Sequence, residues 1–169
     1  MKKGRFLLCF LLVFGAGLML WQATGAARWY VWALLGTARW LGPLLHGWVL
    51  ESGARPDAAP LWVQGERQVQ AAVQFDALAV GVVLVTALLL STPDLPWRRR
   101  LRLLATGVTL SFALNCLVVS LFPLLVFYNN PFTDVLGTFL GVVTFVGAPV
   151  IIWFTLTYQE LQQLLRRLR

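Results

Sequence analysis

Residues 97–127, WRRRLRLLATGVTLSFALNCLVVSLFPLLVF, carry the pattern that decides the fold. A tryptophan and four arginines lie at the start, and the stretch from Leu103 to Phe127 then contains no charged side chain. A helix that crosses a bilayer needs about 20 consecutive apolar residues. Of the 169 residues in the chain, 59% are hydrophobic and 12% are charged, whereas roughly a quarter of a soluble domain is charged. The sequence therefore predicts an all-α integral membrane protein.

Three further apolar runs raise the predicted number of membrane-spanning helices to four. They cover about residues 6–21, 77–90 and 133–156. We expect Thr133 or Asp134 to cap the fourth helix and Pro149 to interrupt it, because proline lacks the N–H that continues the helical ladder.

The distribution of basic residues predicts the orientation. Three flanks carry ten of the fourteen Lys and Arg residues, and four spans place all three flanks on one side. They are the amino end with Lys2, Lys3 and Arg5, the cluster Arg98, Arg99, Arg100 and Arg102, and the tail with Arg166, Arg167 and Arg169. Basic flanks face the cytoplasm, so both termini are expected there, in a bacterial-type inner membrane. The predicted parts are a signal-anchor span (1–27), an extracytoplasmic segment (28–75), a three-helix membrane region (76–157) and a basic amphipathic tail (158–169).

The first apolar run has two interpretations. A secretory signal peptide could be cleaved near Gly25-Ala26-Ala27, where the residues are small. The run is long for such a peptide, however, and Trp21 lies where an interface anchor belongs. An uncleaved signal anchor is the favoured interpretation.

Residues 28–50 are apolar, but they include Arg28, Arg39 and His46 at spacings of eleven and seven. These spacings place the three side chains close to one face of a helix. A narrow polar face beside four tryptophans is typical of a helix that lies in the outer membrane interface. If this segment were a fifth span, the arginine cluster after Trp97 would lie outside the cytoplasm, which argues against that arrangement. A re-entrant hairpin broken near Gly42-Pro43 remains an alternative.

A β-hairpin is predicted after this helix. Residues 61–64 read Leu-Trp-Val-Gln, Gly65-Glu66 suits a two-residue turn, and apolar and polar side chains alternate over 67–75. Because an isolated two-stranded hairpin is marginal in water, it should rest on its own membrane domain or pair its open edge with another protein.

The predicted spans contain few polar residues. Gly107, Ser111 and Asn115 recur every four residues on one face of span three, and Gly137 and Gly141 form a small-residue pair on span four. Both patterns suit close helix packing or a subunit contact. An unpaired Asn amide is costly in lipid, so we expect Asn115 to hydrogen-bond to another helix.

No catalytic, cofactor-binding or metal-binding set is evident, and nucleic-acid binding is not expected because no recognition motif accompanies the charge. Cys116, Arg39 and His46 are residue types that a cysteine transpeptidase uses. We expect Cys116 in mid-membrane and the other two in the outer segment, which separates them.

Four stretches resemble the exosortase-associated small membrane proteins, particularly the exosortase H-associated type. They are Leu20-Trp21, Ala72 to Asp76, Ala87 to Pro93 with the following Trp97-Arg98-Arg99-Arg100, and Ala148 to Trp153. Where such relatives have Asn-Pro after the strand, this chain has Asp76-Ala77. The resemblance implies a non-catalytic partner of a membrane sorting or processing enzyme.

Three functional hypotheses follow. The first is a non-enzymatic accessory subunit of a membrane complex, with an exosortase as the implied partner. The second is a small oligomeric transporter or channel component built around the Asn115 face, and the third is an enzyme that uses Arg39 and His46. The candidate outer-face contacts are Arg28, Arg39, His46, Trp62 and Arg67.

Overall fold

A computed structural model describes residues 3–51, 61–70, 75–93, 95–128 and 130–167. These residues form a mostly helical protein with a small antiparallel sheet. The elements in chain order are α1 (Lys3–Ala23), α2 (Ala26–His46), β1 (Val49–Leu50), β2 (Leu61–Gln64), β3 (Arg67–Gln70), α3 (Phe75–Ser91), α4 (Trp97–Tyr128), α5 (Pro131–Val142), a π-helical turn (Val143–Gly147) and α6 (Ala148–Arg167).

Among the described residues, two helices are long and apolar enough to cross a membrane, which is fewer than the four predicted. They are Gly4–Ala23 and Trp97–Tyr128. The two other predicted spans contain shorter apolar helices, Val80–Ser91 and Ala148–Tyr158. The last span is divided because a π-helical turn precedes Pro149. Pro149 has no N–H to donate to the preceding turn, and the Ala148 N–H bonds five residues back, to the Val143 carbonyl.

Helix α3 lies at the centre of the helical bundle, in contact with α1, α4 and α6. Its side chains are apolar in nearly every direction, as expected of a helix that is covered on all sides. From Val80 to Ser91, where the side chains are described, six apolar side chains are buried: Val82, Val83, Val85, Ala87, Leu88 and Leu89. By contrast, α1 contacts the bundle on one side and leaves many large apolar side chains exposed, among them Leu8, Leu12 and Met19.

One end of the bundle, which we call the Trp153 end, is held together by polar and aromatic contacts. The Trp153 indole N–H donates to the Thr92 hydroxyl at 2.8 Å, and the Arg100 guanidinium donates to the Thr92 carbonyl at 2.8 Å. The Phe6 ring stacks on Trp153 at 6.4 Å between centroids. The beginnings of α1 and α4, the end of α3 and the middle of α6 therefore lie together.

The cap of the fourth predicted helix differs from the prediction. Asn130 is the N-cap of α5, and its side-chain oxygen accepts the Thr133 N–H at 2.9 Å. The Thr133 hydroxyl oxygen in turn accepts the Asn130 N–H, which completes a capping box. Thr133 thus belongs to the cap without being the capping residue, and Asp134 lies exposed in the first turn.

The segment between α1 and α3 forms a helix and a three-stranded sheet in the order β1-β2-β3. We call α2 with β1, β2 and β3 the outer module. The predicted hairpin is present, with Gly65 at φ 61° in its turn, but β1 is an additional strand. Phe75 begins α3 and does not end a strand, and the predicted strand residues 71–74 lie outside the described part of the chain.

Candidate interaction site

The outer module has a packed core that it shares with α4. Trp48, Leu50, Trp62 and Val69 come from the sheet and its entry, Leu34 and Ala38 from α2, and Cys116 and Val119 from α4. Side chains alternate between the two faces of a strand, and the strand register places Leu50, Trp62 and Val69 in one row. That row is the buried face of the sheet.

Trp62 therefore does not serve as an outer-face contact, which corrects the sequence-based expectation. Its side chain is 0% exposed. Alternation in β2 separates Trp62 from Leu61 and Val63 but does not show which face is covered, because all three side chains are apolar. The sheet turns Trp62 towards α2.

Gly42 allows the sheet to approach α2 closely. A Cβ atom at this position would lie 2.6 Å from the Trp48 carbonyl oxygen and 2.7 Å from the Trp62 ring. Both distances are below any ordinary carbon contact, so a side chain would displace the backbone or the fully buried indole. Gly36, six residues earlier on α2, has open space where a Cβ atom would lie.

His46 joins three parts of the module. Its Nδ1 accepts the Trp48 N–H at 3.2 Å, so the neutral ring carries its proton on Nε2, which donates to the Ser120 carbonyl of α4. The His46 carbonyl accepts a bond from the Gln64 amide at 3.1 Å. Pro123 lies three residues after Ser120 on α4 and has no N–H to donate to the preceding turn.

The three residues of the predicted polar face of α2 therefore do not share one environment. Arg28 and Arg39 are exposed, as expected of outer-face contacts, whereas His46 is half-buried and bonds inward to α4. The reason is that α2 ends at His46, where Gly47 adopts φ 76° and turns the chain into the sheet. The ring then follows the chain reversal rather than the helical periodicity.

Arg67 is exposed but not isolated. Its guanidinium carbon lies 5.1 Å from the centre of the Phe127 ring, within the range of a cation–π interaction. Trp48 also contacts Phe127, at 5.4 Å between ring centroids. The first residue of β3 and the entry to β1 are thus both attached to the last turn of α4.

The outward side of α2 is rich in exposed aromatic and apolar side chains. Trp29 and Trp40 are each 78% exposed, and Leu44 is 81% exposed. A groove of about 590 Å³ runs along this side, lined by Arg39, Trp40, Pro43, Leu44 and Val49. An exposed apolar surface with one guanidinium suits a membrane interface or a protein partner.

Several of the residues predicted to pack helices contact other helices of the same chain. The Asn115 amide donates to the Tyr30 hydroxyl of α2 at 2.6 Å, which confirms the expected bond to another helix. Ser111 is buried, and a Cβ on Gly107 would lie 3.0 Å from Leu89 of α3. Gly137 faces Leu125 of α4 at ordinary contact distance, and Gly141 is half-buried.

The three residue types of a cysteine transpeptidase are closer together than expected, but they differ in exposure. Cys116 belongs to the core that the outer module shares with α4, so its predicted separation from the outer segment is wrong. Its side chain is 2% exposed, however, and Arg39 is exposed on α2. A buried thiol in an apolar core favours a packing role.

Among the described residues, no cluster of His, Cys, Asp and Glu could hold a metal ion. Searches against protein-family models, curated protein sequences and solved structures found no match to this chain.

Proposed function

We propose that this chain is a non-catalytic accessory subunit of an inner-membrane complex and that its outer module is the surface on which a partner protein docks. The observation that carries the proposal is the division of the module into two sides. Its inner side packs against α4 through Trp48 and His46, so the module is held in place. Its outer side keeps Trp40, Leu44 and Arg39 exposed, which gives a preorganised surface for binding.

The proposal includes four spans with both termini in the cytoplasm. Helix α3 is about 26 Å long at 1.5 Å per residue, close to the thickness of the hydrocarbon core, and it packs against α1 and α4. The helical run from Pro131 to Tyr158 provides the fourth span despite its π-helical turn. The Trp153 end lies beside Arg5, the Trp97 cluster and the start of the tail, and three basic flanks at one end support a cytoplasmic assignment.

The contacts of Asn115 favour an accessory subunit over a transporter or channel component. A pore built by several copies would use the Gly107, Ser111 and Asn115 face between subunits. In this chain Asn115 bonds to Tyr30 of α2, and Gly107 faces Leu89 of α3. The small-residue face is thus occupied by helices of the same chain.

An exosortase-type sorting enzyme is the first partner to test, on the basis of the sequence resemblance. The experiment is photocrosslinking in native membranes with a photoreactive residue at Leu44, which is 81% exposed on α2. The matched control is the same residue at Leu12, which is 65% exposed on α1. We expect a crosslink to one defined membrane protein from Leu44 and none from Leu12. Identical products at both positions, or only a homo-oligomer, would contradict the proposal.

A further inference from the structure

The strand register identifies which backbone groups of β3 point away from the sheet. The Glu51 N–H donates to the Leu61 carbonyl at 2.9 Å, so the backbone groups of Leu61 face β1. Along a strand these groups alternate in direction, and those of Trp62 therefore face its partner Val69 on β3. It follows that Gln68 and Gln70 direct their N–H and C=O groups away from β2.

No strand within the described residues pairs with this edge of β3. Proteins usually protect such an edge with charged side chains, proline or a covering segment. The charge on β3 belongs to Arg67, whose guanidinium lies over Phe127 on the inner side of the sheet. Gln68 and Gln70 are exposed and neutral, so neither places a charge on the edge.

We propose that the β3 edge binds an extended segment of the partner protein, which adds a fourth strand to the sheet. This inference rests on the proposed function and specifies how the partner docks. Outward backbone groups two residues apart are complementary to another extended backbone. A second copy of this chain is the less suitable occupant, because two four-residue strands alone bury far less than the roughly 1,200 Å² of a stable interface. A larger partner can add contacts on the exposed face of the sheet beside Gln68 and Gln70.

The test uses one substitution that removes only an outward group. Gln68→Pro deletes the outward N–H of β3 and leaves the N–H groups of Arg67 and Val69 for the ladder with β2. Proline is tolerated at an edge position of this kind. Gln68→Ala is the matched control, because it shortens the same side chain and keeps the N–H.

The full-length chain is co-expressed with an exosortase-type enzyme from the same source, and the complex is recovered in mild detergent. We expect Gln68→Pro to reduce the recovered complex at least tenfold and Gln68→Ala to change it less than twofold. Amide exchange at Trp62 and Val69 should be unchanged in both variants, which shows that the sheet has remained folded.

Each other result argues against a specific claim. A second variant, Gly42→Val, places a side chain between α2 and the sheet and should displace the whole sheet. If Gln68→Pro retains the complex while Gly42→Val loses it, the edge inference is wrong and the proposed function stands. If Gln68→Pro abolishes only a homodimer, the occupant is a second copy. If the wild-type chain forms no complex with the enzyme, the assignment of that enzyme as partner and the edge inference both fail.

Discussion

Substituting Gly42 by Ala tests whether the sheet is held against α2 as tightly as the contacts indicate. The added methyl group would lie 2.6 Å from the Trp48 carbonyl oxygen and 2.7 Å from the Trp62 ring. Trp62 is fully buried and cannot move aside without opening the core. Overpacking of this kind costs about 1–3 kcal/mol, and two short contacts, one of them to backbone, place Gly42→Ala near the upper end.

Gly36→Ala provides the control on the same helix. Replacing glycine by alanine within a helix stabilises it by about 1 kcal/mol, and this gain applies to both positions. At Gly36 the new methyl group meets open space. The difference between the two variants therefore isolates the steric clash, at about 3 kcal/mol, or roughly a 100-fold difference in the opening equilibrium of the sheet.

The assay is hydrogen–deuterium exchange of full-length protein in detergent, followed at the peptide that contains residues 61–70. We expect faster exchange in Gly42→Ala than in wild type, and equal or slower exchange in Gly36→Ala. A peptide from the middle of α4 serves as an internal reference for global unfolding. Equal exchange of residues 61–70 in the two variants would show that the sheet does not contact α2 at Gly42.

Three further predictions concern the contacts that hold the module and the bundle together. His46→Ala removes the bonds to the Ser120 carbonyl and the Trp48 N–H, and should destabilise the sheet by about 1–3 kcal/mol; unchanged exchange at residues 61–70 would contradict the assignment. In thermal unfolding, a double-mutant cycle of Asn115→Leu with Tyr30→Phe should give a coupling energy of about 0.6 kcal/mol, with an upper limit near 1.7. Additive effects of the two substitutions would contradict the hydrogen bond. Arg67→Met should lower the stability of the sheet by about 0.5–1 kcal/mol. The same substitution should have no effect in a Phe127→Leu background, where the ring has already been removed.

Local patterns predicted several elements correctly. The uncharged stretch after the Trp97 cluster forms α4, residues 28–50 are mostly helical, and Gly65-Glu66 turns the hairpin. Each of these features depends on neighbours in sequence: a run of apolar side chains, a helical spacing or a residue that accepts positive φ. The bond from Asn115 to another helix was also predictable, because an amide in an apolar span needs a partner.

Other features depend on distant contacts and left no local signal. Strand β1 has two residues, too few for a periodicity, and it exists because β2 pairs with it. The identity of the covered face of β2 depends on Gly42, which lies twenty residues earlier and admits the Trp62 ring. His46 shares a helical spacing with Arg39, but its ring is positioned by the turn at Gly47 and by a carbonyl of α4.

The position of His46 changes how an enzymatic role should be tested. From sequence alone, unchanged function in an Arg39→Ala, His46→Ala double variant would contradict catalysis at the outer interface. Because His46 bonds to α4 and to the entry of β1, its removal is expected to loosen the module and to impair partner docking as well. Arg39 is exposed on α2 and lines the groove, so Arg39→Ala changes the proposed docking surface without disturbing the core. If His46→Ala lost function together with sheet protection, while Arg39→Ala kept the sheet protected and weakened only partner recovery, the histidine would act by positioning the module, as the accessory-subunit proposal requires.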